Sequence, residues 1–244
     1  MLRSVPGPPE DGREQRACSV GVCDGSGWVV AGDEQVAYPC ECRAKRVKRA
    51  ASTRLGSGIP KRYRGVSFER KPIADLDPIV LRPVREYVRR IDEQLEAGRG
   101  LWFSGDVGTG KTSLAMLVSK AALEAGHSVA IYSVPRLLAE IKETFDRDSA
   151  GSYMQLFRRL VSVDLLHLDD LGAERPTEWV LEQLYSIVNE RWQDQSSIIV
   201  TTNLPSPGEL REQVGPRTVS RLVEICDDPL SLMGGDLRIA SDAG

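Results

Sequence analysis

Residues 105–112 read GDVGTGKT and match the pattern G-x-x-x-x-G-K-[ST] at every fixed position. The short apolar stretch Leu101–Phe103 precedes this segment, and apolar spacing predicts a helix over Lys111–Ala125. Glycines let a backbone wrap closely, so successive N–H groups point at phosphate oxygens, and the following helix adds its positive N-terminus. The segment therefore predicts a phosphate-binding loop between a strand and a helix.

The residue types in this loop suit a nucleoside triphosphate bound together with Mg²⁺. The Lys111 ammonium would reach the β- and γ-phosphates, and the Thr112 hydroxyl would bind Mg²⁺. We therefore expect ATP and Mg²⁺ as ligands. The expected ATP-binding residues are Gly105, Asp106, Val107, Gly108, Thr109, Gly110, Lys111, Thr112 and Ser113.

Polar residues follow two further apolar stretches that resemble buried strands. Asp169 and Asp170 come directly after Leu165–Leu168, and Asn203 comes shortly after Ile198–Val200. Ligands of parallel sheets bind at the carboxyl ends of the strands. We expect Asp169 to hold Mg²⁺, Asp170 to orient or deprotonate the attacking water, and Asn203 to hold that water or sense the γ-phosphate.

Strands and helices alternate over the second half of the chain. Predicted strands at Leu101–Phe103 and Ser128–Val134 are separated by the helix that follows the loop, and further helices are predicted over Met154–Val161 and Thr177–Gln193. This order predicts an α/β fold, a parallel sheet flanked by helices. Upstream, apolar spacing predicts one helix over Pro78–Leu95.

Two arginines near the end of the chain are candidates for stabilising charge on a γ-phosphoryl group. Arg221 lies in a helix-like segment, and Arg238 lies in the sequence GDLR. Arginine performs this role either within one subunit or from a neighbouring one. Arg217 competes for the same role, and a plain surface position remains open for each of them.

Four of the five cysteines lie within the first 42 residues, as two close pairs. Four residues separate Cys18 from Cys23, and one residue separates Cys40 from Cys42. Such pairs are typical of a four-cysteine zinc site, although two-residue gaps are commoner. We expect Zn²⁺ here, with four reduced and unliganded thiols as the alternative, and we assign Cys226 to the core.

Composition and charge divide the chain into four parts. We expect a disordered start over residues 1–12, a zinc-binding module over 13–43, a basic linker over 44–58 and an ATPase domain over 59–244. Residues 41–71 carry eleven Lys or Arg against two acids, although the net charge of the chain is −3. A run this basic suits either nucleic acid or solvent. Because no apolar run is long enough to span a membrane, we expect a cytoplasmic protein without membrane contact.

The combined motifs resemble the bacterial replicative helicase loaders of the DnaC/DnaI type and the related IstB-like transposition helper ATPases, both of the AAA+ superfamily. Besides the phosphate loop, the resemblance rests on the segment IPKRYR at 59–64, on LDDLG at 168–172 and on SRL at 220–222. It implies an AAA+ sheet with a reduced or absent lid. The cysteine module followed by a basic linker resembles the loader arrangement.

The resemblance also implies roles for individual residues. Arg221 matches the arginine finger that reaches the ATP of the next subunit, Arg238 matches the second sensor arginine, and Asn203 matches the first sensor. The segment between Val134 and Asp164 matches a helical element that faces single-stranded DNA. Its candidate DNA-binding residues are Arg158 and Arg159.

Three functions compete at this stage. The first is an ATPase that hydrolyses slowly, assembles with copies of itself, and loads a hexameric replicative DNA helicase onto single-stranded DNA. In that function the zinc module docks on the helicase. The second is a transposition helper that acts on duplex DNA and needs no zinc. The third is a P-loop enzyme such as a small-molecule kinase, against which the series formed by Asn203 and Arg221 argues.

Overall fold

The structure, a computed structural model, describes residues 18, 21–30, 37–43, 58–146, 150–204, 206–235 and 237. The chain divides into two compact units, residues 1–47 and residues 48–244. The expected disordered start over 1–12, residues 44–57 of the expected linker, and Arg238 lie outside the described residues.

The first unit contains a small antiparallel hairpin. Strands β1 (Trp28–Val30) and β2 (Ala37–Pro39) pair with Val29 opposite Tyr38. Bends over residues 21–27 precede β1, and Gly25 and Gly27 have positive φ angles there.

The second unit is built on a five-stranded sheet in which every neighbouring pair is parallel. The strand order is β4-β5-β6-β3-β7. The α/β fold with a parallel sheet is therefore confirmed. The strands are β3 (Leu101–Ser104), β4 (Val129–Ser133), β5 (Leu165–Asp169), β6 (Ser197–Thr202) and β7 (Leu230–Ser231).

Helices cover both faces of this sheet. In the described part of the second unit they are α1 (Pro78–Arg89), α2 (Ile91–Glu96), α3 (Lys111–Glu124), α4 (Val134–Asp146), α5 (Ala150–Ser162), α6 (Glu178–Gln193), α7 (Pro207–Val214) and α8 (Pro216–Cys226). Short 3-10 turns over Lys61–Tyr63 and Ile73–Asp75 precede α1.

The core consists of two apolar layers, one on each face of the sheet. Along β5 and β6 the side chains alternate between them: Leu165 and Ile199 pack with α1, α2 and α3, whereas Leu166, Ile198 and Val200 pack with the helices from α4 to α8. Strands buried on both faces are continuously apolar. This arrangement leaves the polar carboxyl ends of β5 and β6 at one edge of the sheet.

The structure differs from the predicted elements in two places. The single helix predicted over Pro78–Leu95 is divided at Arg90, which has φ −110° and ψ 34°. Its buried residues stay on one face across the break, so their spacing could not reveal it. The short edge strand β7 was not predicted, because two residues carry too little pattern to recognise. No helix in the described ranges is long and apolar enough to cross a membrane.

Candidate functional site

The phosphate loop lies between β3 and α3, and two of its glycines are required by geometry. Gly105 has φ 134°, and a Cβ atom there would lie 2.2 Å from the carbonyl oxygen of Leu232. Gly110 has φ 95° and immediately precedes α3. Both positions favour glycine over any residue with a side chain. The loop therefore takes the tight path that a phosphate-binding backbone needs.

Lys111 holds the loop together from its first helical position. Its Nζ atom donates hydrogen bonds to the carbonyl oxygens of Gly105, at 2.8 Å, and Asp106, at 2.6 Å. Thr109 Oγ1 donates to the same Asp106 oxygen at 2.9 Å. Lys111 and Thr109 are both buried. The ammonium group is thus inside the loop, where phosphate oxygens would meet it.

Asp169 is the point at which the phosphate loop meets the sheet. Its Oδ1 atom accepts hydrogen bonds from Thr112 Oγ1, at 3.0 Å, and from Thr201 Oγ1, at 2.7 Å. The hydroxyl expected to bind Mg²⁺ and the carboxylate expected to hold it are therefore adjacent. Oxygen ligands of this kind suit Mg²⁺.

The surroundings of Asp169 keep its carboxylate ionised. Burial raises its pKa, but the neighbouring His167 and the hydroxyls of Thr201 and Thr112 outweigh that effect, so the pKa is lower than usual. His167 is fully buried, and its Nδ1 atom lies 2.9 Å from Ser119 Oγ. The structure places His167 in the core, beside Asp169.

Asp170 has an unusual backbone conformation for a residue with a side chain. Its φ angle is 59°, in the left-handed region that Asp tolerates better than most residues. Its N–H donates to Thr201 Oγ1 at 2.9 Å. A left-handed backbone conformation such as that of Asp170 is often found at functional sites. Asn203 lies just beyond β6 and is exposed.

A cavity of about 880 Å³ brings most of the predicted site residues together. That volume is within the range of small-molecule pockets. The predicted residues that line it are Val107, Gly108, Gly110, Lys111, Thr112, Ser113, Asp169, Asp170 and Asn203. Gly105, Asp106 and Thr109 are not part of this lining, and they stabilise the loop through hydrogen bonds that involve Lys111 and the Asp106 carbonyl.

One wall of the cavity comes from a segment for which the sequence motifs assigned no ligand contact. It includes Tyr63, Val66, Arg70 and Pro72, and Leu237 adds an apolar side chain. Tyr63 and Val66 were not found because this segment has neither helical nor strand periodicity. Tyr63 does lie in the segment IPKRYR at 59–64, but the resemblance assigned no ligand contact to it.

The structure leaves three predicted arginines outside this lining. Arg221 lies on α8, where its guanidinium stacks on Trp192 with 3.5 Å between Cζ and the ring centroid. Arg158 and Arg159 lie on α5, and Arg158 is exposed. Within the described residues, none of the three lines the cavity.

The four N-terminal cysteines form a compact cluster in the first unit. Their Sγ atoms all lie within 4.8 Å of one another. The Sγ atoms of Cys18 and Cys40 are 3.8 Å apart, and those of Cys23 and Cys42 are 3.5 Å apart. Sulfurs that bind one tetrahedral zinc ion at about 2.3 Å lie about 3.8 Å from each other. The donor set and its spacing therefore fit Zn²⁺.

Cys42 holds its proton tightly when no cation compensates the sulfur charge. Burial, together with the neighbouring thiols, raises the pKa of Cys42 to about 12. A bound metal ion reverses this preference, because zinc binds thiolate sulfur.

Comparison with known proteins places this chain in a family. Residues 93–215 match the family described as IstB-like ATP binding protein, and this range is half of the chain. The chain belongs to the IstB-like ATP-binding protein family. The matched range contains the phosphate loop, both aspartates and Asn203. Membership of this family implies ATP binding and ATPase activity.

Curated relatives of this IstB-like protein include replicative helicase loaders. The replicative helicase loader DnaC of Buchnera aphidicola subsp. Schizaphis graminum is 30% identical over 68% of this chain and 66% of its own length. DnaC of Escherichia coli strain K12 is 29% identical over 74% of this chain and 72% of its own length. The crystal structure of the DnaC helicase loader superposes with a TM-score of 0.61 at 26% identity, over 71% of this chain and all of that one. The resemblance and the AAA+ fold are confirmed.

Proposed function

We propose that this protein is an ATP-dependent loader that delivers a hexameric replicative DNA helicase to single-stranded DNA. The observation that carries the proposal is the similarity to DnaC, and the contact between Thr112 and Asp169 supplies the ATP- and Mg²⁺-type site that such a loader needs. A helicase loader accounts for both this site and the cysteine cluster. A transposition helper needs no such cluster.

The residues that line the cavity have separate roles in binding and in hydrolysing ATP. Lys111 and the loop N–H groups hold the phosphates, while Thr112 and Asp169 hold Mg²⁺, which would neutralise charge on the phosphate oxygens. Asp170 orients the attacking water or accepts its proton, and Asn203 holds that water against the γ-phosphate. Both Asp170 and Asn203 line the cavity beside the loop.

Hydrolysis is slow and serves as a switch. The side chain of Asp170 is one methylene shorter than the glutamate found in many related ATPases, so its carboxylate reaches the water less well. The bound ATP would then persist long enough to hold an assembly of several chains together. Hydrolysis of the ATP would release that assembly.

Arg221 acts on the ATP of a neighbouring copy of the chain. It lies on α8 and does not line the cavity of its own subunit among the described residues. An arginine supplied from a neighbour stabilises charge on the transferring phosphoryl group. Self-association is therefore part of the mechanism. Arg238, which lies outside the described residues, is proposed to contact the ATP of its own subunit.

The cysteine cluster and the arginines on α5 would contact the helicase and single-stranded DNA. Cys18, Cys23, Cys40 and Cys42 would bind Zn²⁺ and shape the first unit for docking on the helicase. Arg158 and Arg159 on α5 would contact the phosphates of single-stranded DNA.

The test is complex formation with the replicative helicase of the same host. The zinc-loaded protein is mixed with the helicase and ATP-Mg²⁺, and the mass of the product is measured by size-exclusion chromatography with light scattering. We expect a stable complex that disappears when Cys40 and Cys42 are both replaced by Ser. A Cys226→Ala variant is the matched control, because Cys226 is buried outside the cluster.

The opposite result has a clear meaning. If no complex forms with any nucleotide while the protein binds duplex DNA in preference to single strands, the loader function is wrong and a transposition helper replaces it.

A further inference from the structure

Three side chains form a closed cluster where α6 meets α8. The Arg221 guanidinium lies over the Trp192 ring, and its Nη1 atom donates to Glu224 Oε1 at 2.9 Å. The indole N–H of Trp192 donates to Glu224 Oε2 at 2.8 Å. One carboxylate therefore holds both the guanidinium and the ring on which it stacks.

The cluster is supported by a rigid base. Arg221 and Glu224 lie one turn apart on α8, and Trp192 lies in the last turn of α6. The apolar residues Val188, Val219 and Leu222 are fully buried where these helices pack on the sheet. The backbone positions of all three cluster members are thus set by the core.

The cluster restrains Arg221 without enclosing it. The side chain of Arg221 keeps 29% of its surface exposed, against 47% for Glu224. Glu224 occupies one of the terminal nitrogens, Nη1, and the ring covers one face. In the described part of the chain, no side chain or carbonyl accepts a hydrogen bond from Nε or Nη2. The edge formed by Nε and Nη2 therefore presents two N–H donors side by side, in the geometry that matches two oxygens of a phosphate.

We infer that Trp192 and Glu224 are positioning residues for Arg221, which they hold ready for the ATP of a neighbouring subunit. This inference rests on the proposed role of Arg221 in trans. A free arginine side chain loses rotamer freedom when it meets a phosphate. Stacking on Trp192 and the contact with Glu224 restrict the rotamers of Arg221 before the phosphate arrives. Less of the binding free energy is then lost to ordering the side chain, and more of it stabilises the transition state.

Glu224 is assigned as a support because it engages the side of the guanidinium away from the open edge. A carboxylate that competed with phosphate would cover that edge. Replacing Glu224 by Gln keeps an acceptor but removes the charge, and we expect the kcat of assembly-dependent hydrolysis to fall about threefold.

The experiment uses two full-length variants that are inactive alone. Lys111→Ala cannot bind ATP but still carries Arg221, so it donates the finger. Arg221→Ala binds ATP but offers no finger. Both variants are mixed with oligothymidylate. We expect hydrolysis to return at each interface where Arg221 of the Lys111→Ala chain faces the ATP bound to the Arg221→Ala chain. A Trp192→Ala substitution is then added to one partner at a time.

We expect Trp192→Ala to act only in the chain that donates Arg221. There the kcat of the mixture falls about tenfold, while the KM for ATP changes less than about twofold. In the ATP-binding chain the same substitution leaves kcat unchanged within about twofold. Trp192→Phe in the donor restores most of the activity, because a ring remains for stacking. Trp179→Ala, at the other end of α6, is the matched control.

A spectroscopic measurement separates positioning from general damage. With 5-fluorotryptophan incorporated, the ¹⁹F resonance that Trp192→Phe removes belongs to Trp192. Arg221→Ala should shift this resonance and leave the others in place. Equal thermal unfolding midpoints for the Trp192→Phe variant and the parent chain exclude loss of folding.

The contrary outcomes are distinct. If the two inactive variants do not restore hydrolysis together, the action of Arg221 in trans is wrong, and this part of the proposed function fails. If activity returns but is insensitive to Trp192→Ala in the donor, the positioning role is wrong. A rise in kcat with Glu224→Gln would also overturn it, since Glu224 would then restrain Arg221 from acting.

Discussion

The hydroxyl of Thr201 donates a hydrogen bond of 2.7 Å to Oδ1 of Asp169 and connects the ends of β5 and β6. The same hydroxyl accepts the N–H of Asp170 at 2.9 Å. One fully buried side chain therefore fixes both aspartates that the sequence predicted for Mg²⁺ and water. Thr201 was not among those predicted site residues.

Replacing Thr201 by Val should weaken the site while keeping the shape of the side chain. Asp169 loses a donor and the Asp170 N–H loses its acceptor. We expect the affinity for Mg²⁺ in the presence of ATP to fall about tenfold. The free energy of unfolding should fall by about 1–3 kcal/mol. Titration of ATPase activity with Mg²⁺ and urea denaturation measure the two effects.

Thr202→Val is the matched control on the same strand. Thr202 is also buried, but its hydroxyl accepts from the Leu204 N–H and does not contact Asp169. The Mg²⁺ dependence of this variant should equal that of the parent chain. Equal Mg²⁺ dependence in Thr201→Val would contradict the assignment.

The cysteine cluster should hold about one zinc ion per chain, measured by plasma mass spectrometry after dialysis. Cys42→Ser should lose the ion, because three sulfurs leave the tetrahedron incomplete. Cys226→Ala should retain it. A metal content below about 0.1 per chain in protein purified without chelators and then loaded with zinc would show that the thiols are unliganded.

The proposed DNA contact on α5 predicts a change in salt dependence. Replacing Arg158 and Arg159 together by Ala should lower the affinity for oligothymidylate and reduce the slope of log K against log salt by about 1.4, since each phosphate contact contributes about 0.7. Fluorescence anisotropy at several salt concentrations measures this slope. A paired Ala substitution of Arg82 and Arg89 on α1 is the control, and an unchanged slope in the α5 variant would remove this helix from the interface.

His127 should contribute stability that depends on pH. The nearby Asp164 carboxylate, whose Oδ2 lies 3.8 Å from Nδ1, is the largest cause that raises the pKa of His127 above its usual 6.5, and Asp92 adds to it, its Oδ1 lying 2.6 Å from Nε2. The folded protein therefore holds this proton more tightly than the unfolded chain. The contribution is complete below pH 6.5 and is lost as the pH rises through the folded-state value.

The variant that isolates this effect is His127→Gln. Urea denaturation should give a loss of about 1 kcal/mol against the parent at pH 6, and a smaller loss at pH 9. The contribution of Asp92 should also shrink at high salt, because its side chain is 71% exposed. A difference that grows with pH would contradict the assignment.

The sequence was sufficient for four of the five strands of the sheet and for the residues at its carboxyl edge. The loop at 105–112 has fixed spacing, and Asp169, Asp170 and Asn203 each follow an apolar strand, so the chain itself marks their positions. The parallel order then brings them to one edge. These are local signals that need no knowledge of distant contacts.

The remaining features depend on contacts between distant parts of the chain. Tyr63 and Val66 line the cavity from an irregular segment, and Thr201 looks like any strand threonine until Asp169 is placed beside it. Arg221 could be found from its motif, but Trp192, 29 positions earlier, is related to it only by the packing of α6 on α8. Pattern within one element could not reveal these partners.

The most direct test of the central claim is transfer of the helicase onto closed DNA. The protein, ATP-Mg²⁺ and the replicative helicase of the same host are mixed with a closed circle of single-stranded DNA coated with single-strand-binding protein, and an annealed oligonucleotide reports unwinding. A circle has no end to thread, so unwinding requires that the ring be loaded. We predict rapid unwinding with the parent chain and none above the helicase-alone rate with Lys111→Ala. Unwinding that is equally fast without this protein, or equally fast with Lys111→Ala, would contradict the account.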